Sequence, residues 1–426
     1  MNDLTLETLR IEALGAAGDG IARRDGRTVF LPGTLPGETV HARLMGKRGE
    51  ALAAEAAAVL AASPDRVAPP CPHFSQCGGC AIQHLADVPY AEWKRAKLVD
   101  ALARAGFPDA PVGALERTPP NTRRRADLAL RRGPGGGVLL GFHGRGTDAV
   151  TDLATCAVLD PRIVALFEPL RVLFKRLAAL KRDGSAVVNL LDTGPDLLLR
   201  TDGALDAPAR GLLAAFAAAH GIPRIAWAQG TKLPETAAQL GRVGIALGGT
   251  AVAPPAGAFL QASPAGEAAI VAAVLAGLPA KLPPRAAIAD LFAGLGTLSF
   301  PLATRARVVA FEGMAESVTA LAAGAGNAGA RVQAVRRDLD RQPLIAKELQ
   351  SYAAVVLDPP LNGAAAQMPL LARSVVPRVI YVSCNPAALA RDAQVLAQAG
   401  FKVLAATPVD QFLWSPHLES VVVFTR

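Results

Sequence analysis

Alternating buried strands and helices in the C-terminal half constrain the fold of this 426-residue chain most strongly. From about residue 255 this alternation predicts a doubly wound α/β sheet. Ala286–Phe292 is an apolar strand, and the loop Ala293-Gly-Leu-Gly-Thr297 leads from it into a helix over Leu298–Ala303. Its two glycines let the backbone approach a ligand at the first switch point of the sheet. The third glycine of a dinucleotide fingerprint and a phosphate-loop lysine are both missing, which disfavours NAD and ATP.

Acidic residues at the ends of the next strands indicate a different cofactor. Glu312 ends the second strand, where a carboxylate can accept hydrogen bonds from a ribose diol. Asp338 follows the third strand and can meet an adenine amino group, and Asp358-Pro-Pro360 closes the fourth. A G-x-G loop alone is a weak signal. Followed by these three acids in this order, it predicts a methyltransferase core that uses S-adenosylmethionine.

Cys384 lies where a reactive thiol would be useful. Val379–Val382 is a buried strand that ends in Ser383-Cys384-Asn385-Pro386, and a helix opens at Ala387. The cysteine therefore lies at the C-terminal edge of a parallel sheet, where α/β folds bind their ligands. The nearby helix N-terminus is expected to favour the thiolate. A buried structural cysteine is the alternative for a lone cysteine at a strand end.

A carboxylate near the C-terminus is the natural partner for this thiol. Val403–Asp410 and Ser420–Thr425 are predicted to form the last hairpin of the sheet. Glu419, at the start of the second strand, should project into the same cleft as Cys384 and is a candidate base. On its own, a glutamate at a strand entry is better explained as solvated. The cysteine in the cleft favours the catalytic interpretation.

Three cysteines within ten residues predict a metal site. Cys71, Cys77 and Cys80 include a Gly-Gly pair between the last two, which lets the backbone wrap closely, and the fourth ligand must be Cys156 or Cys384. Four thiolates can hold a [4Fe–4S] cluster or a tetrahedral zinc ion. The three-plus-one spacing favours the iron–sulfur cluster over zinc, and a redox disulfide is a third alternative.

Turn signals and composition divide the chain into three predicted domains. Residues 1–62 contain short strands with Gly/Pro turns and a pattern that resembles the TRAM domain, an OB-like barrel, whose exposed arginines are expected to contact RNA. A solvated basic face on a spacer domain is the alternative. Residues 63–254 are expected to form a central α+β domain with the metal-binding cysteines. Residues 255–426 are expected to form the methyltransferase domain.

Composition and charge indicate the kind of partner and the cellular location of the protein. The formal charge of +8 suits a polyanionic partner. The sequence contains no apolar run of about 18 residues, so no membrane span is predicted. The first residues, Met1–Glu7, lack the basic and apolar order of a signal peptide. These features predict a cytoplasmic protein, expected to be a monomer, in which the cysteines are not structural disulfides.

With these motifs assembled, the chain resembles the RNA uracil-5-methyltransferase family, in particular its TRAM-bearing, iron–sulfur ribosomal RNA branch. The resemblance implies roles residue by residue: cluster ligands Cys71, Cys77, Cys80 and Cys156; cofactor residues Gln261, Phe292, Gly294, Gly296, Thr297, Glu312, Asp338 and Asp358; nucleophile Cys384 and base Glu419. Two positions depart from the family pattern. Ser263 replaces the asparagine of F-x-Q-x-N, and Leu361 replaces the arginine of D-P-P-R-x-G, which removes a possible phosphate or uracil contact.

The resemblance implies methylation of carbon 5 of a uridine, with 23S ribosomal RNA as the expected substrate and transfer RNA as the alternative. A non-catalytic RNA-binding protein with a retained methyltransferase fold is a rival from another class, and the intact Cys384 and Glu419 argue against it. A cytosine-5-methyltransferase is a second rival. That family commonly places a Pro-Cys pair on the fourth strand, where this chain has Asp358-Pro-Pro.

Overall fold

The N-terminal strands form a small barrel. The computed structural model describes residues 6–426, so the first five residues of the predicted first domain lie outside the described range. The barrel strands are β1 Glu7–Arg10, β2 Ala13–Leu14, β3 Gly20–Arg24, β4 Arg27–Leu31, β5 Thr39–Arg48 and β6 Ala51–Ala61. They are hydrogen-bonded in the order β1-β5-β6-β4-β3-β2. The Ala-rich segment Ala51–Ala61 is thus a strand of the barrel.

The segment that runs from β1 to β2 closes this sheet on itself. Strand β1 pairs with β5 and strand β2 pairs with β3, both antiparallel. Between them, the N–H of Ile11 donates to the carbonyl of Glu38, and the N–H of Glu12 donates to that of Ile21. Alternate side chains point inward along such strands, and those of β4 and β5 fill a small apolar core. The expected OB-like barrel is confirmed.

The middle of the chain builds a second sheet. In chain order its elements are α1 Asp87–Arg104, β7 Glu116–Arg117, β8 Arg125–Arg132, β9 Val138–His143, β10 Val150–Asp152, α2 Pro161–Val164, α3 Phe167–Arg176, β11 Asp183–Leu191, β12 Gly194–Thr201, α4 Ala207–Ala219, β13 Arg224–Gln229, β14 Glu235–Gln239, β15 Ile245–Leu247 and β16 Thr250–Val252. Seven of the strands pair in the order β10-β9-β8-β11-β12-β13-β14, and β15 and β16 form a separate hairpin. Helices α3 and α4 pack against the seven-stranded sheet and bury its apolar core.

The C-terminal sheet is the expected doubly wound one. Its elements are α5 Pro264–Gly277, β17 Ala287–Leu291, α6 Ser299–Ala303, β18 Arg307–Glu312, α7 Ala315–Ala328, β19 Val332–Arg336, α8 Ala346–Leu349, β20 Tyr352–Leu357, α9 Met368–Arg373, β21 Arg378–Ser383, α10 Pro386–Gln398, β22 Lys402–Asp410 and β23 Glu419–Thr425. The strand order is β19-β18-β17-β20-β21-β23-β22-β7. The predicted α/β fold class is thereby confirmed.

Strand direction determines which residues meet at the edge of this sheet. Strands β17 to β21 are parallel, so their carboxyl ends share one edge. Strand β23 runs antiparallel between β21 and β22, and its register pairs Ser383 with Ser420. The start of β23 therefore lies beside the end of β21. Helices α5 to α7 cover one face of the sheet, and α1, α9 and α10 cover the other.

Two elements from the middle of the chain pack on the C-terminal sheet. Strand β7 pairs in parallel with β22, and Leu98 and Leu102 of α1 share an apolar core with α10. Both elements lie within residues 63–254, the range predicted for the central domain. The predicted boundaries after residues 62 and 254 remain predictions. No helix among residues 6–426 combines the length and apolarity that crossing a membrane requires.

A buried ion pair attaches α1 to the loop before β23. The Lys94 ammonium group is fully buried and donates to Asp410 Oδ1 at 2.8 Å, and also to the carbonyls of Phe412 and His417. The Tyr90 hydroxyl donates to the other oxygen of Asp410. All three ammonium protons thus find acceptors on one loop. Burial lowers the pKa of Lys94, which Asp410 opposes.

Candidate active site

The carboxyl edge of the C-terminal sheet brings together the residues that the sequence singled out. Asp358 follows β20, Cys384 follows β21, and Glu419 opens β23. Because β23 runs antiparallel to β21, its first residue lies where the parallel strands end. Asn385 caps α10 by accepting a hydrogen bond from the N–H of Ala387, so the cysteine lies directly before the helix. The structure therefore places Cys384 and Glu419 at the same edge, as predicted.

Two glutamines connect the two carboxylates of this edge. Gln261 Nε2 donates to Asp358 Oδ2 at 3.2 Å. Gln411 Nε2 donates to Gln261 Oε1 at 2.7 Å and to Glu419 Oε2 at 2.8 Å. The backbone N–H of Ala262 donates to Gln411 Oε1 at 2.8 Å. A continuous set of hydrogen bonds thus runs from Asp358 to Glu419.

Gln411 was missed by the sequence reasoning. Its only local signal is that it directly follows Asp410 at the end of β22, next to the strand that Glu419 opens. By contrast, Gln261 was predicted as a cofactor residue through the resemblance. In this structure Gln261 also contacts the side chain that holds Glu419.

Burial raises the pKa values of the acids at this edge. Burial and the nearby Asp358 carboxylate raise the pKa of Glu419 to about 8, and the hydrogen bond from Gln411 partly opposes that rise. Burial raises the pKa of Asp358 to about 6. Burial also raises the pKa of Asp290 to about 7, although Asp290 accepts a hydrogen bond from Ser299. Carboxyl groups with such values can exchange protons near neutral pH.

The expectation that Cys384 favours the thiolate is wrong for this geometry. Burial, followed by the charges of Glu419 and Asp358, raises the pKa of the thiol to about 12. The helix N-terminus contributes only a partial charge, which is smaller than two nearby carboxylates and the loss of water. The sheet register places the two residues side by side, because Ser383 pairs with Ser420 and Cys384 and Glu419 are the adjacent positions.

The glycine loop after β17 has the shape of a ligand cradle. Phe292 and Gly294 both have φ near +60°, at 62° and 55°. A side chain at Gly294 would meet no protein atom within 4 Å, so space is open beside the backbone there. Glu312 accepts the N–H of Gly294 at 2.9 Å and that of Met314 at 2.7 Å. The carboxylate expected at the ribose is thus fixed against the loop.

The remaining predicted cofactor residues differ in how deeply they are buried. Gly296 packs tightly on Phe300, while Thr297 is half-buried in the same loop. Asp338 is exposed after β19 and accepts the N–H groups of Asp340 and Arg341. Its side chain therefore closes the turn that follows β19. The open space beside Gly294 and the carboxylate of Glu312 fit S-adenosylmethionine.

The four predicted metal ligands share one cavity with Cys384. A cavity of about 490 Å³ is lined by Cys71, Cys77, Cys80, Cys156 and Cys384 among other residues. All five thiols are free. Burial raises the pKa of Cys80 to about 12, and the other cysteines add to this rise. In the part of the chain that the structure describes, no three His, Cys, Asp or Glu side chains are placed to hold one metal ion.

The two departures from the family pattern have different structural settings. Ser263 caps α5, accepting a hydrogen bond from the N–H of Gly266 at 3.1 Å. Leu361 is more than half exposed and lines the cavity beside Cys384. The side-chain amide of Asn385 donates to the carbonyl of Leu361 at 2.9 Å. The first position thus serves the fold, and the second gives the cavity an apolar wall.

The fold and this edge define a class I methyltransferase of the S-adenosylmethionine-dependent type. Residues 284–426 match the family described as tRNA (Uracil-5-)-methyltransferase, and residues 6–49 match the TRAM domain. An RNA methyltransferase of Caulobacter vibrioides, named as uncharacterized, is 42% identical over 99% of this chain and 100% of its own. A 23S rRNA (uracil(1939)-C(5))-methyltransferase of Halomonas elongata is 37% identical, and the alignment covers 97% of this chain and 88% of the relative. The chain therefore belongs to the RNA uracil-5-methyltransferase family.

A solved structure supports the same fold over the whole chain. The tRNA (uracil-54, C5)-methyltransferase of Pyrococcus abyssi, in complex with S-adenosyl-L-homocysteine, aligns with a TM-score of 0.73. The alignment covers 99% of this chain and 100% of that one, at 20% identity. At this identity the likeness shows the fold alone. It extends to the barrel and the middle sheet as well as the methyltransferase sheet.

The raised pKa of Glu419 predicts how stability depends on pH. A carboxyl whose pKa is higher in the folded chain makes the folded protein bind extra protons. Its stabilising contribution is complete below the unfolded value of 4.5 and is lost as the pH rises through about 8. Across this window the free energy of unfolding should fall more steeply for wild type than for Glu419→Gln, by on the order of a few kcal/mol. Denaturant titrations at several pH values measure this.

The exposed Glu316 provides the control for this measurement. The Glu316→Gln variant should keep the wild-type slope of stability against pH. Equal slopes for wild type and Glu419→Gln would contradict the raised pKa.

Proposed function

We propose that this protein methylates carbon 5 of a uridine in 23S ribosomal RNA, with Cys384 as nucleophile and Glu419 as base. The observation that carries the proposal is that Cys384 and Glu419 lie side by side at one edge of the sheet, the edge at which the open loop of Gly294 also lies. The family membership supports the reaction class. The name of the Halomonas relative supports the choice of RNA.

The reaction requires a thiol and a carboxylate in these places. Carbon 5 of uracil is too weak a nucleophile to take a methyl group directly. Cys384 gives up its thiol proton to solvent, and its sulfur attacks carbon 6, so that electrons move towards carbon 5 and make it nucleophilic. Carbon 5 then takes the methyl group of S-adenosylmethionine, whose sulfur keeps the electrons of the broken bond and leaves as S-adenosylhomocysteine. Glu419 then takes the proton from carbon 5, and the electrons of that bond expel the Cys384 thiolate.

The state of Glu419 suits its proposed task. Its Oε2 accepts the bond from Gln411, while its Oε1 is buried and has no hydrogen-bond partner among the described residues. A buried carboxylate oxygen without a donor is a stronger proton acceptor than a solvated one. Its pKa near 8 gives a large driving force for taking a proton while leaving the anion populated near neutral pH.

The basic barrel suits a large folded RNA. Arg23, Arg27 and Lys47 lie on exposed parts of its strands, where they can contact phosphates. The target base must leave its stack to reach a buried thiol. The barrel and the middle sheet are therefore proposed to hold the RNA around the extruded uridine.

The choice of RNA can be tested with the full-length protein and labelled cofactor. We expect methylation of 23S ribosomal RNA from cells that lack the gene, at one uridine located by mass spectrometry, and much slower methylation of transfer RNA. Cys384→Ala should give no label on either RNA. Equal or faster labelling of transfer RNA would contradict the ribosomal assignment and leave the reaction class intact.

The two catalytic residues should fail at different steps. Cys384→Ala should bind S-adenosylhomocysteine but form neither an adduct nor product, because it has no sulfur to attack carbon 6. Glu419→Gln should still add to the base and still transfer the methyl group, but the carbon 5 proton would remain. Methyl-labelled RNA should therefore stay covalently bound to this variant, seen as a slow band on a denaturing gel. Wild-type turnover by a folded Glu419→Gln protein would exclude Glu419 as the base.

We further propose that Cys71, Cys77, Cys80 and Cys156 hold a [4Fe–4S] cluster. The support is that four free thiols line a single cavity, which is the donor set that such a cluster takes. Arg145 donates to the carbonyl of Cys80 at 3.0 Å, so a cation lies near this ligand set. The cluster would be structural, because the reaction needs no electron transfer.

Metal analysis decides between the cluster and zinc. Protein purified without oxygen should be brown and contain about four irons per chain. Cys77→Ser and Cys156→Ser should lose most of this iron, while Cys384→Ala should retain it. Colourless protein with stoichiometric zinc would contradict the iron–sulfur assignment.

A further inference from the structure

The side-chain amide of Gln411 makes three hydrogen bonds at the sheet edge. Gln411 is buried at the end of β22 and uses both ends of its amide. Its Oε1 accepts the backbone N–H of Ala262, and its Nε2 donates to both Gln261 and Glu419. Since a backbone N–H can only donate, the amide oxygen must face Ala262. The NH₂ group must then face the two acceptors.

The packing around Gln411 also fixes its position. A side chain at Gly266 of α5 would meet the Cβ of Gln411 at 2.6 Å, so the helix backbone lies directly against it. On the other side, the preceding Asp410 is held by Lys94 and Tyr90. The close packing therefore restricts Gln411 to few rotamers.

This arrangement determines which oxygen of Glu419 is free. Gln411 engages Oε2 at 2.8 Å, while Oε1 has no protein partner in the described chain. The charged and titratable groups that face Glu419 are Asp358, after β20, and Cys384, after β21. Neither is hydrogen-bonded to Glu419 in the described chain. Gln411 is thus the donor that orients the carboxylate.

We propose that Gln411 is a positioning residue of the methylation reaction, which holds Glu419 by Oε2 so that Oε1 takes the carbon 5 proton. The inference rests on the proposed role of Glu419 as base. Gln411 touches neither the uracil nor the cofactor in this role. It acts through Glu419, and through Gln261 it also links the base to Asp358.

The test uses Gln411→Met in the full-length protein, which keeps the side-chain volume and removes the donor. With 23S ribosomal RNA and labelled S-adenosylmethionine, turnover should fall roughly tenfold to a hundredfold, the range expected for a hydrogen bond to a charged group. The KM for RNA and the affinity for S-adenosylhomocysteine should change little. Methyl-labelled covalent enzyme–RNA complex should accumulate, because proton removal is the step that slows.

The pH profile gives a readout that a purely structural role would not move. The Gln411 hydrogen bond lowers the pKa of Glu419, so its loss raises that pKa further. The rise of turnover with pH should therefore shift to higher pH in Gln411→Met, and the trapped complex should resolve faster in alkali. In Glu419→Gln the covalent complex should also accumulate, but alkaline pH should not speed its breakdown.

The exposed Gln398 provides the matched control, because Gln398→Met should behave as wild type. If Gln411→Met melts below the assay temperature, the same measurements are made on Gln411→Glu. This variant still accepts the Ala262 N–H but lacks the donor to Glu419. Normal turnover without adduct in the folded variant, while Glu419→Gln does trap adduct, would overturn the role of Gln411 alone. Normal turnover by Glu419→Gln would instead overturn the base assignment, and this inference with it.

Discussion

The buried ion pair between Lys94 and Asp410 is the interaction on which the geometry of the active edge most depends. Neither side chain is exposed, and the ammonium group also bonds two carbonyls of the loop that leads to Glu419. Burying two charges costs several kcal/mol per ion in desolvation, so such a pair adds little net stability. Removing one partner is far more costly, because the other charge is left unpaired. The pair therefore specifies one arrangement of the loop.

A second contact from the middle of the chain fixes the other end of the hydrogen-bonded set. Arg124 donates through Nε to the carbonyl of Gln261 at 3.1 Å and forms an ion pair with Glu267 of α5. Its own N–H donates to the carbonyl of Ala262 at 2.9 Å. Residues from outside the methyltransferase sheet thus hold both glutamines that connect the carboxylates. The α/β sheet supplies the strand ends, and the segments before it orient the side chains.

The sequence was informative where the signals are local. A cysteine after an apolar strand and an acid before the last one were enough to locate Cys384 and Glu419, because strand direction alone brings such ends to one edge. Gln411 and Lys94 could not be found this way. Gln411 meets Gln261 at a separation of 150 residues, and Lys94 meets Asp410 at 316. No periodicity or spacing in one sequence encodes contacts of that range.

The expectation for the Cys384 thiol was wrong for the same reason, because the groups that set its pKa are distant in the sequence. The helix N-terminus is a local feature, whereas burial and the charges of Glu419 and Asp358 are set by the whole fold. A thiol that stays protonated until substrate arrives is protected from oxidation, because the thiolate is the reactive form. That protection matters in a cavity shared with four other thiols. Burial and the two neighbouring carboxylates therefore keep the Cys384 thiol protonated.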